Sequence, residues 1–506
     1  MAYVENRTAA PAPQLVLAPT ESPATNPPCA PQHRRDRFRI EPSALNKQRP
    51  DVRLHNWDEV FLGFTPEVAM QEASRCLECQ HAPCVEACPL GNPIPDAMYL
   101  IAQGWFSEAA LKFFETSNMP DICGRICPQE KLCEGACVLT PVTEPVRIGK
   151  LEAFCVDYLR DRHGYPTPCS APRTGTRVAV VGAGPAGLTV AEELLKRGHE
   201  VTVFDAWPRP GGLLLYGIPN FKLKKEIPLA LIERLEQLGA RFACGVRIGR
   251  CNAVDTLFAQ GFHAVFLGHG ATAGKQMRIP GEELKKVYQA TEYLVRGNVA
   301  PDWLPPGLGR KPHAGRRTAV IGGGDTAMDC VRTARRLNPA GEVYCVYRRT
   351  EAEMPGRVEE RAHARQEGVR FEWLTLPKRL MGNERGEVTA MECARMRLGE
   401  PDASGRRRPV EIPGTEFTLA VDTVVLALGY GMDEEIGQTT PELRTTKWGT
   451  IWVETEKTAQ TSRHDIWAAG DNVRGADLVV TAVAAARKAA QDIDRVLRAH
   501  AGRPSP

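Results

Sequence analysis

Two stretches of the chain are apolar without alternation and run straight into glycines. Arg177-Val178-Ala179-Val180-Val181 leads into Gly182, and Thr318-Ala319-Val320-Ile321 leads into Gly322. A strand that is apolar on both faces suits a parallel sheet buried between layers of helix. Helical patterns follow, Leu188–Arg197 after the first and Met328–Arg336 after the second. Two such units, about 140 residues apart, predict two dinucleotide folds, in tandem or one nested inside the other. Upstream, from about residue 65 to 165, apolar residues recur at helical spacing, as at Ile101, Phe106, Ala109, Ala110 and Phe113. This predicts a small, mostly helical domain, closed by a linker with three prolines between Gly164 and Pro172. Residues 1–35 are rich in Ala, Pro and Thr, lack periodicity and read as a disordered tail.

Composition narrows the class. The chain has 506 residues, 43% hydrophobic and 25% charged, with a net charge of +3. No apolar run is long enough to span a membrane. The charge is too small to imply nucleic acid, and no basic stripe carries interleaved aromatics. The run Arg406–Arg408, between Asp402 and Glu411, reads as a solvated loop. Of 16 cysteines, eight fall between Cys76 and Cys137. No secretory signal pattern precedes them, so a cytoplasmic location is expected, with clustered cysteines holding metal rather than disulfides.

The first glycine turn is Gly182-Ala183-Gly184-Pro185-Ala186-Gly187, between strand and helix. Its glycines allow a tight turn, close approach of a pyrophosphate and close helix packing, while the helix N-terminus faces the phosphates. The next strand ends at Asp205, 18 residues after Gly187, where an acid accepts bonds from ribose hydroxyls. The following Gly211, Gly212 and Leu213 let the backbone lie close to a flat, bulky group, which favours FAD over NAD. Near the C-terminus a strand ends in Gly470-Asp471, ahead of Thr481 and an alanine-rich helix. An acid there reaches a ribityl hydroxyl, with the helix N-terminus on the flavin pyrimidine. A glycine turn without ligand and an ordinary crossover are the plainer alternatives.

The second turn, Gly322-Gly323-Gly324-Asp325-Thr326-Ala327, ends in alanine instead of glycine. Where the first fold had Asp205, this one has Arg348 and Arg349. An acid would repel a 2′-phosphate, whereas two guanidiniums bind it. One chain thus pairs an FAD fold with an NADPH fold, and Arg357 is a candidate third phosphate contact. A solvated arginine face is the competing reading.

The cysteines are spaced Cys76-x2-Cys79-x4-Cys84-x3-Cys88-Pro89, then Cys127-Pro128-x4-Cys133-x3-Cys137. Such spacing, with Cys-Pro closing a local run, is typical of iron–sulfur ligation. Zinc is the rival, since C-x2-C is also a zinc half-site. A redox role beside a flavin favours iron. Cys123 lies close enough to compete for a place.

With these motifs the sequence resembles the glutamate synthase small (beta) subunit family, from about Cys76 to the C-terminus. The matching strings include Cys88-Pro89-Leu90-Gly91-Asn92, Gly124-Arg125-Ile126-Cys127-Pro128-Gln129, Leu132-Cys133-Glu134-Gly135-Ala136-Cys137 and Val473–Ala482. The resemblance implies an α/β protein with an NADPH domain inserted in an FAD domain, similar to adrenodoxin reductase, behind a helical double-cluster domain. Its expected partition is a tail at 1–35, the iron–sulfur domain at 36–170, FAD domain at 171–290 and 430–506, and NADPH domain at 291–429.

By similarity to dihydropyrimidine dehydrogenase, Cys76, Cys79, Cys84 and Cys137 hold one [4Fe–4S] cluster. Cys88, Cys127 and Cys133 hold a second, with Glu152 at the matching fourth position and Cys155 its competitor. Hydride from NADPH would pass to FAD, then singly through two clusters to a large subunit docked on the cysteine-rich domain. That partner would make glutamate. A related oxidoreductase serving another acceptor, and an electron-transfer scaffold without nicotinamide turnover, are the alternatives. Trp467–Asp471 and Ala484–Lys488 depart from the family pattern near the flavin.

Overall fold

The computed structural model describes residues 34–501 apart from 169, 310 and 402–404. Most of the expected tail therefore lies outside the described residues. The cysteine-rich part is built on the helices Pro66–Ala73, Ile94–Ala102, Phe106–Thr116, Pro120–Ile126 and Ile148–His163. Thr65 caps the first of these by accepting the Val68 N–H, with Pro66 at the first helical position. Phe106, Ala109, Ala110 and Phe113 bury one face of their helix, as the spacing predicted. Phe106 meets Phe154 and Tyr158 edge-on, with ring centroids 5.1 and 4.9 Å away.

The first dinucleotide fold is a parallel sheet in the order Ile466–Ala468, Ala264–Leu267, Arg177–Val181, Glu200–Asp205, Arg241–Cys244. Its outermost strand comes from the C-terminal part of the chain. The second fold is a parallel sheet in the order Val287–Gln289, Thr423–Leu426, Arg317–Ile321, Glu342–Val346, Arg370–Glu372. The second fold is thus nested in the first. A short antiparallel pair, Ala273–Gly274 with Tyr430–Gly431, marks where the chain crosses out and back.

Two features depart from the expected partition. Val287–Gln289 precedes position 291, yet it pairs with Thr423–Leu426 in the second sheet, so that fold takes in residues assigned to the first. An antiparallel sheet, Thr375–Gly382, Val388–Pro401, Arg407–Glu411 and Phe417–Ala420, also fills part of the insertion. Here Arg407 and Arg408 belong to a strand rather than a loop. No helix among the described residues is long and apolar enough to cross a membrane.

All three parts meet at one buried carboxylate. Glu367 accepts Arg53 Nε at 2.8 Å, Arg332 Nη2 at 3.0 Å and Arg336 Nη1 at 2.9 Å. Arg53 comes from the helical part and the other two from the second fold. Phe221 of the first fold lies under Arg332 and Arg336, 4.3 and 4.1 Å from their guanidinium carbons. Beside it Lys222 donates to Asp329 at 2.8 Å and Arg332 to Glu360 at 2.6 Å. Guanidinium over an aromatic face, with the charge paired, suits a desolvated contact between domains.

Burial alone would raise the Glu367 pKa, but Arg332 and Arg336 pull it down to about 2. A folded pKa below the unfolded value of about 4.3 contributes stability above that value, lost as pH falls towards the folded one. Glu367→Gln is therefore expected to cost about 3–5 kcal/mol, because buried Arg53 and Arg336 lose their carboxylate partner and Arg332 keeps only Glu360. Thermal unfolding should show a lowered midpoint at pH 7, and the gap to the native protein should narrow as pH falls from about 4 towards about 2.

Candidate flavin, nucleotide and cluster sites

A cleft of about 590 Å³ opens where the two dinucleotide folds face each other. Gly182, Gly184, Pro185, Ala186, Asp205, Gly212, Leu213, Gly470 and Asp471 line it, together with Asp325 and Thr326 of the second fold. The three glycines of the first turn have different reasons to be glycine. A Cβ on Gly182 would lie 2.5 Å from the Gly268 carbonyl oxygen, and one on Gly187 1.9 Å from that of Gly182. On Gly184 it would meet nothing within 4 Å. The outer two are demanded by the protein; the middle one leaves space over a helix N-terminus, as a pyrophosphate needs.

Asp205 braces the turn. Its Oδ2 accepts the Ala183 N–H at 2.7 Å and its Oδ1 the Trp207 N–H at 2.8 Å. Burial raises its pKa, and those two donors offset part of the rise. Gly211 has φ +127° and donates to the Ala183 carbonyl, while Gly212 packs on Gly184 so closely that a Cβ would sit 2.7 Å from its Cα. Gly470 has φ +93°. Burial pushes the Asp471 carboxyl up to about 7, which the Asp477 N–H eases. Thr481 is not on this cleft. Its hydroxyl donates to the Leu478 carbonyl at 2.7 Å, and it lines a smaller hollow with Pro89, Ala469, Gly470 and Lys488.

The second turn repeats the arrangement. A Cβ on Gly322 would lie 2.2 Å from the Ala427 carbonyl oxygen, whereas Gly324 again has nothing within 4 Å. Asp325 opens the helix Asp325–Leu337. The arginines separate. Arg348 is exposed beyond the strand end, while Arg349 is buried and donates Nε to the Arg407 carbonyl at 2.8 Å. Arg357 is 4% exposed, and its guanidinium donates to Gln129 Oε1 at 3.0 Å and the Arg125 carbonyl at 3.3 Å. It faces the cysteine-rich part, with Glu130 and Glu359 carboxylates 3.7 and 3.5 Å from its guanidinium.

The cysteines fall into two sets. Cys76, Cys79, Cys84 and Cys137 ring one hollow, walled by Ile94, Met98 and Leu139. Glu78, with φ +49°, turns the chain between the first two, held by Arg37 at 2.5 Å. Burial pushes Cys76 up to about 12 and Cys84 to about 11. Such thiols stay protonated at neutral pH unless a metal centre displaces the proton. Among the described residues no three His, Cys, Asp or Glu converge as ligands of a metal ion. Four thiols around one hollow are the donor set that a [4Fe–4S] cluster uses.

The other set is Cys88, Cys127, Cys133 and Glu152. Burial raises Cys88 and Cys133, and each is raised further by Glu152 and Cys127. Burial also holds Glu152 well above its usual range, with Cys127 adding to it, and Asn92 donates to its Oε1 at 3.2 Å. Cys155 turns away, its thiol bonded to the Glu152 carbonyl at 3.3 Å within the helix. Cys123 is buried against Cys127. A carboxylate with three thiols is a chemically sound fourth donor for iron.

Known proteins agree with this layout. Residues 53–164 match the family described as dihydropyrimidine dehydrogenase domain II, 4Fe-4S cluster, and residues 176–486 match pyridine nucleotide-disulphide oxidoreductase. The glutamate synthase [NADPH] small chain of Azospirillum brasilense is 40% identical, over 91% of this chain and 95% of its own. The chain belongs to the glutamate synthase small-chain family. It is an NADPH-dependent flavin oxidoreductase with a 4Fe-4S domain. The putative oxidoreductase AegA of Escherichia coli K12 is 41% identical over 88% of this chain and 68% of its own. Mycobacterium tuberculosis FprA in complex with NADPH shares the fold, with TM-score 0.52 and 21% identity over 66% of this chain and 88% of that one.

For this small-chain family member, sequence reasoning missed several cleft residues. His269, Arg247, Trp207 and Tyr430 all line the cleft. His269 was the most legible, because Gly268-His269-Gly270 follows the apolar strand Ala264–Leu267. Burial lowers its pKa to about 4, so it faces the cleft as a neutral ring. Arg247 gave no local signal, since its carboxylate partners Asp433 and Glu435 lie almost 190 residues on.

The glycine geometry sets a test. Gly184→Val is expected to leave secondary structure unchanged by circular dichroism but to strip flavin absorbance from the purified protein. Gly187→Val should lose both, because its side chain has no room.

Proposed function

We propose that this chain is the NADPH-oxidising electron-input subunit of a glutamate synthase. The single observation that carries the reading is the shared cleft, in which the phosphate turn of the first fold and Asp325 and Thr326 of the second line one space. Both nucleotides can then be held with their reactive rings together. When bound, FAD supplies the conversion between hydride from NADPH and the single electrons that iron–sulfur clusters accept. The chain's own residues bind and orient. Asp205 braces the turn under the FAD phosphates, Asp471 reaches the ribityl side, and Arg348, exposed at the strand end, recognises the 2′-phosphate.

The residues fit two [4Fe–4S] clusters at different depths. Cys123 and Cys127 are part of the first fold's core, and Pro89, next to Cys88, shares a hollow with Gly470. The set with Glu152 is thus the inner one. Cys76, Cys84 and Cys137 pack on the helical core, as do Cys88 and Cys133, but none of them joins Cys127 in the first fold's core. Val138 beside that outer set is 40% exposed and Val142 is 72% exposed. This apolar edge is the docking face proposed for the large subunit, in a cytoplasmic setting that keeps thiols reduced. The likeness to AegA favours a second reading, in which the same converter serves a different acceptor.

Anaerobic titration tests the converter. NADPH should bleach the flavin at far lower concentration than NADH, with about eight irons per chain. Flavin that neither nucleotide reduces, or zinc in place of iron, would overturn the proposal. Adding a glutamate synthase large subunit separates the two readings: NADPH-dependent glutamate formation supports the first, and its absence with a fully reducible flavin supports the second.

A further inference from the structure

Three segments of the chain are locked in series between the cysteines and the second glycine turn. The segment Pro355–Val358 lies on that turn: the Gly356 N–H donates to the Gly323 carbonyl at 3.0 Å and the Arg357 N–H to Asp325 Oδ1 at 2.9 Å. A Cβ on Gly356 would come within 3.1 Å of the Gly323 oxygen. From its other side the segment is gripped by the loop between Cys127 and Cys133. Lys131 Nζ donates to the Pro355 carbonyl at 2.5 Å, and the Val358 N–H to Glu130 Oε1 at 3.3 Å. Arg357 Nη2 donates to Gln129 Oε1 at 3.0 Å.

Gln129 is itself immobile. Its Nε2 donates to the Gly124 carbonyl at 2.9 Å, and it packs so tightly on Gly149 that a Cβ there would lie 2.1 Å from Nε2. Gln129 and Arg357 are each 4% exposed. The far end of this chain of contacts, Asp325, lines the flavin cleft.

We propose that Gln129 and Arg357 are positioning residues for hydride transfer, fixing the Gly322–Asp325 turn to the cysteine loop so that the nicotinamide meets the flavin in register. Neither touches the nucleotide. The inference rests on the reading that the second fold binds NADPH, and it assigns Arg357 a role other than phosphate recognition. A buried, forked guanidinium bridging two segments transmits position well, because its donors are set in one plane. Misplacement of a nucleotide by about 1 Å costs up to about 10²-fold in rate.

The test uses the holoprotein and four variants, Gln129→Ala, Gln129→Glu, Arg357→Ala and Arg348→Ala. Iron and flavin content are measured first. Calorimetry then gives affinities for NADP⁺ and NAD⁺, and stopped-flow absorbance follows flavin reduction by NADPH and by NADH. Gln129→Ala and Arg357→Ala are expected to slow reduction by both nucleotides, by the same factor of roughly 10–100. Gln129→Glu, which keeps an acceptor for Arg357 but sets a carboxylate oxygen against the Gly124 carbonyl, should recover part of the rate. Arg348→Ala should weaken NADPH alone.

If Arg357→Ala impairs NADPH but spares NADH, Arg357 is a phosphate contact and the proposal falls. Native rates in Gln129→Ala with full iron and flavin also overturn it, and decide the matter even if Arg357→Ala fails to fold. A native protein whose flavin NADPH does not reduce at all refutes the underlying reading instead.

Discussion

The Glu367 carboxylate is the point on which the arrangement of the three parts depends. Three guanidiniums converge on it from two domains, and an aromatic ring from the third lies beneath two of them. With Lys222, Asp329 and Glu360 alongside, four cations face three carboxylates out of water. Desolvating so many charges is costly, and the net contribution of such a cluster to stability is small even where each contact is strong. Its value lies in geometry. Each donor has few acceptable partners, so the domains have few acceptable orientations.

That orientation is what hydride transfer requires. Each dinucleotide fold supplies the same device, a turn whose middle glycine leaves a space beside a helix N-terminus. Gly184 and Gly324 both face such a space. The device binds phosphates, but it says nothing about how two bound nucleotides lie relative to each other. The crossing pair Ala273–Gly274 and Tyr430–Gly431 is narrow, only two residues on each side. The helical part, packed on the second fold through Arg53, Gln129 and Lys131 and on the first through Asn118, supplies the rest of the constraint.

The fold was legible in the sequence wherever its cause is local. Val178–Val181 and Ala319–Ile321 announce buried parallel strands by composition alone, and Phe106–Phe113 a helix by spacing. Asp205 at its strand end and Gly211 just beyond it were legible as the residues that close on the first glycine turn, because their offsets from that strand are fixed. Contacts that join distant segments left no such trace. Val287–Gln289 is too short and mixed to reveal which sheet it enters. Arg53 and Glu367 lie 314 residues apart. Arg357 donates to Gln129, 228 residues away, which nothing in its own segment indicates.

The Glu367 cluster also limits how this architecture can be recombined. A cut in the proline-rich linker between Gly164 and Pro172 looks like a natural border between modules. It would nevertheless separate Arg53 from its carboxylate and leave the second fold with a buried surface built to receive a cation. A cysteine-rich domain grafted from a relative must bring its own arginine to that spot, and a reductase body expressed without one must exchange the carboxylate for something apolar. Inheritance of the domains as a set, rather than one at a time, is the route that leaves no charge stranded.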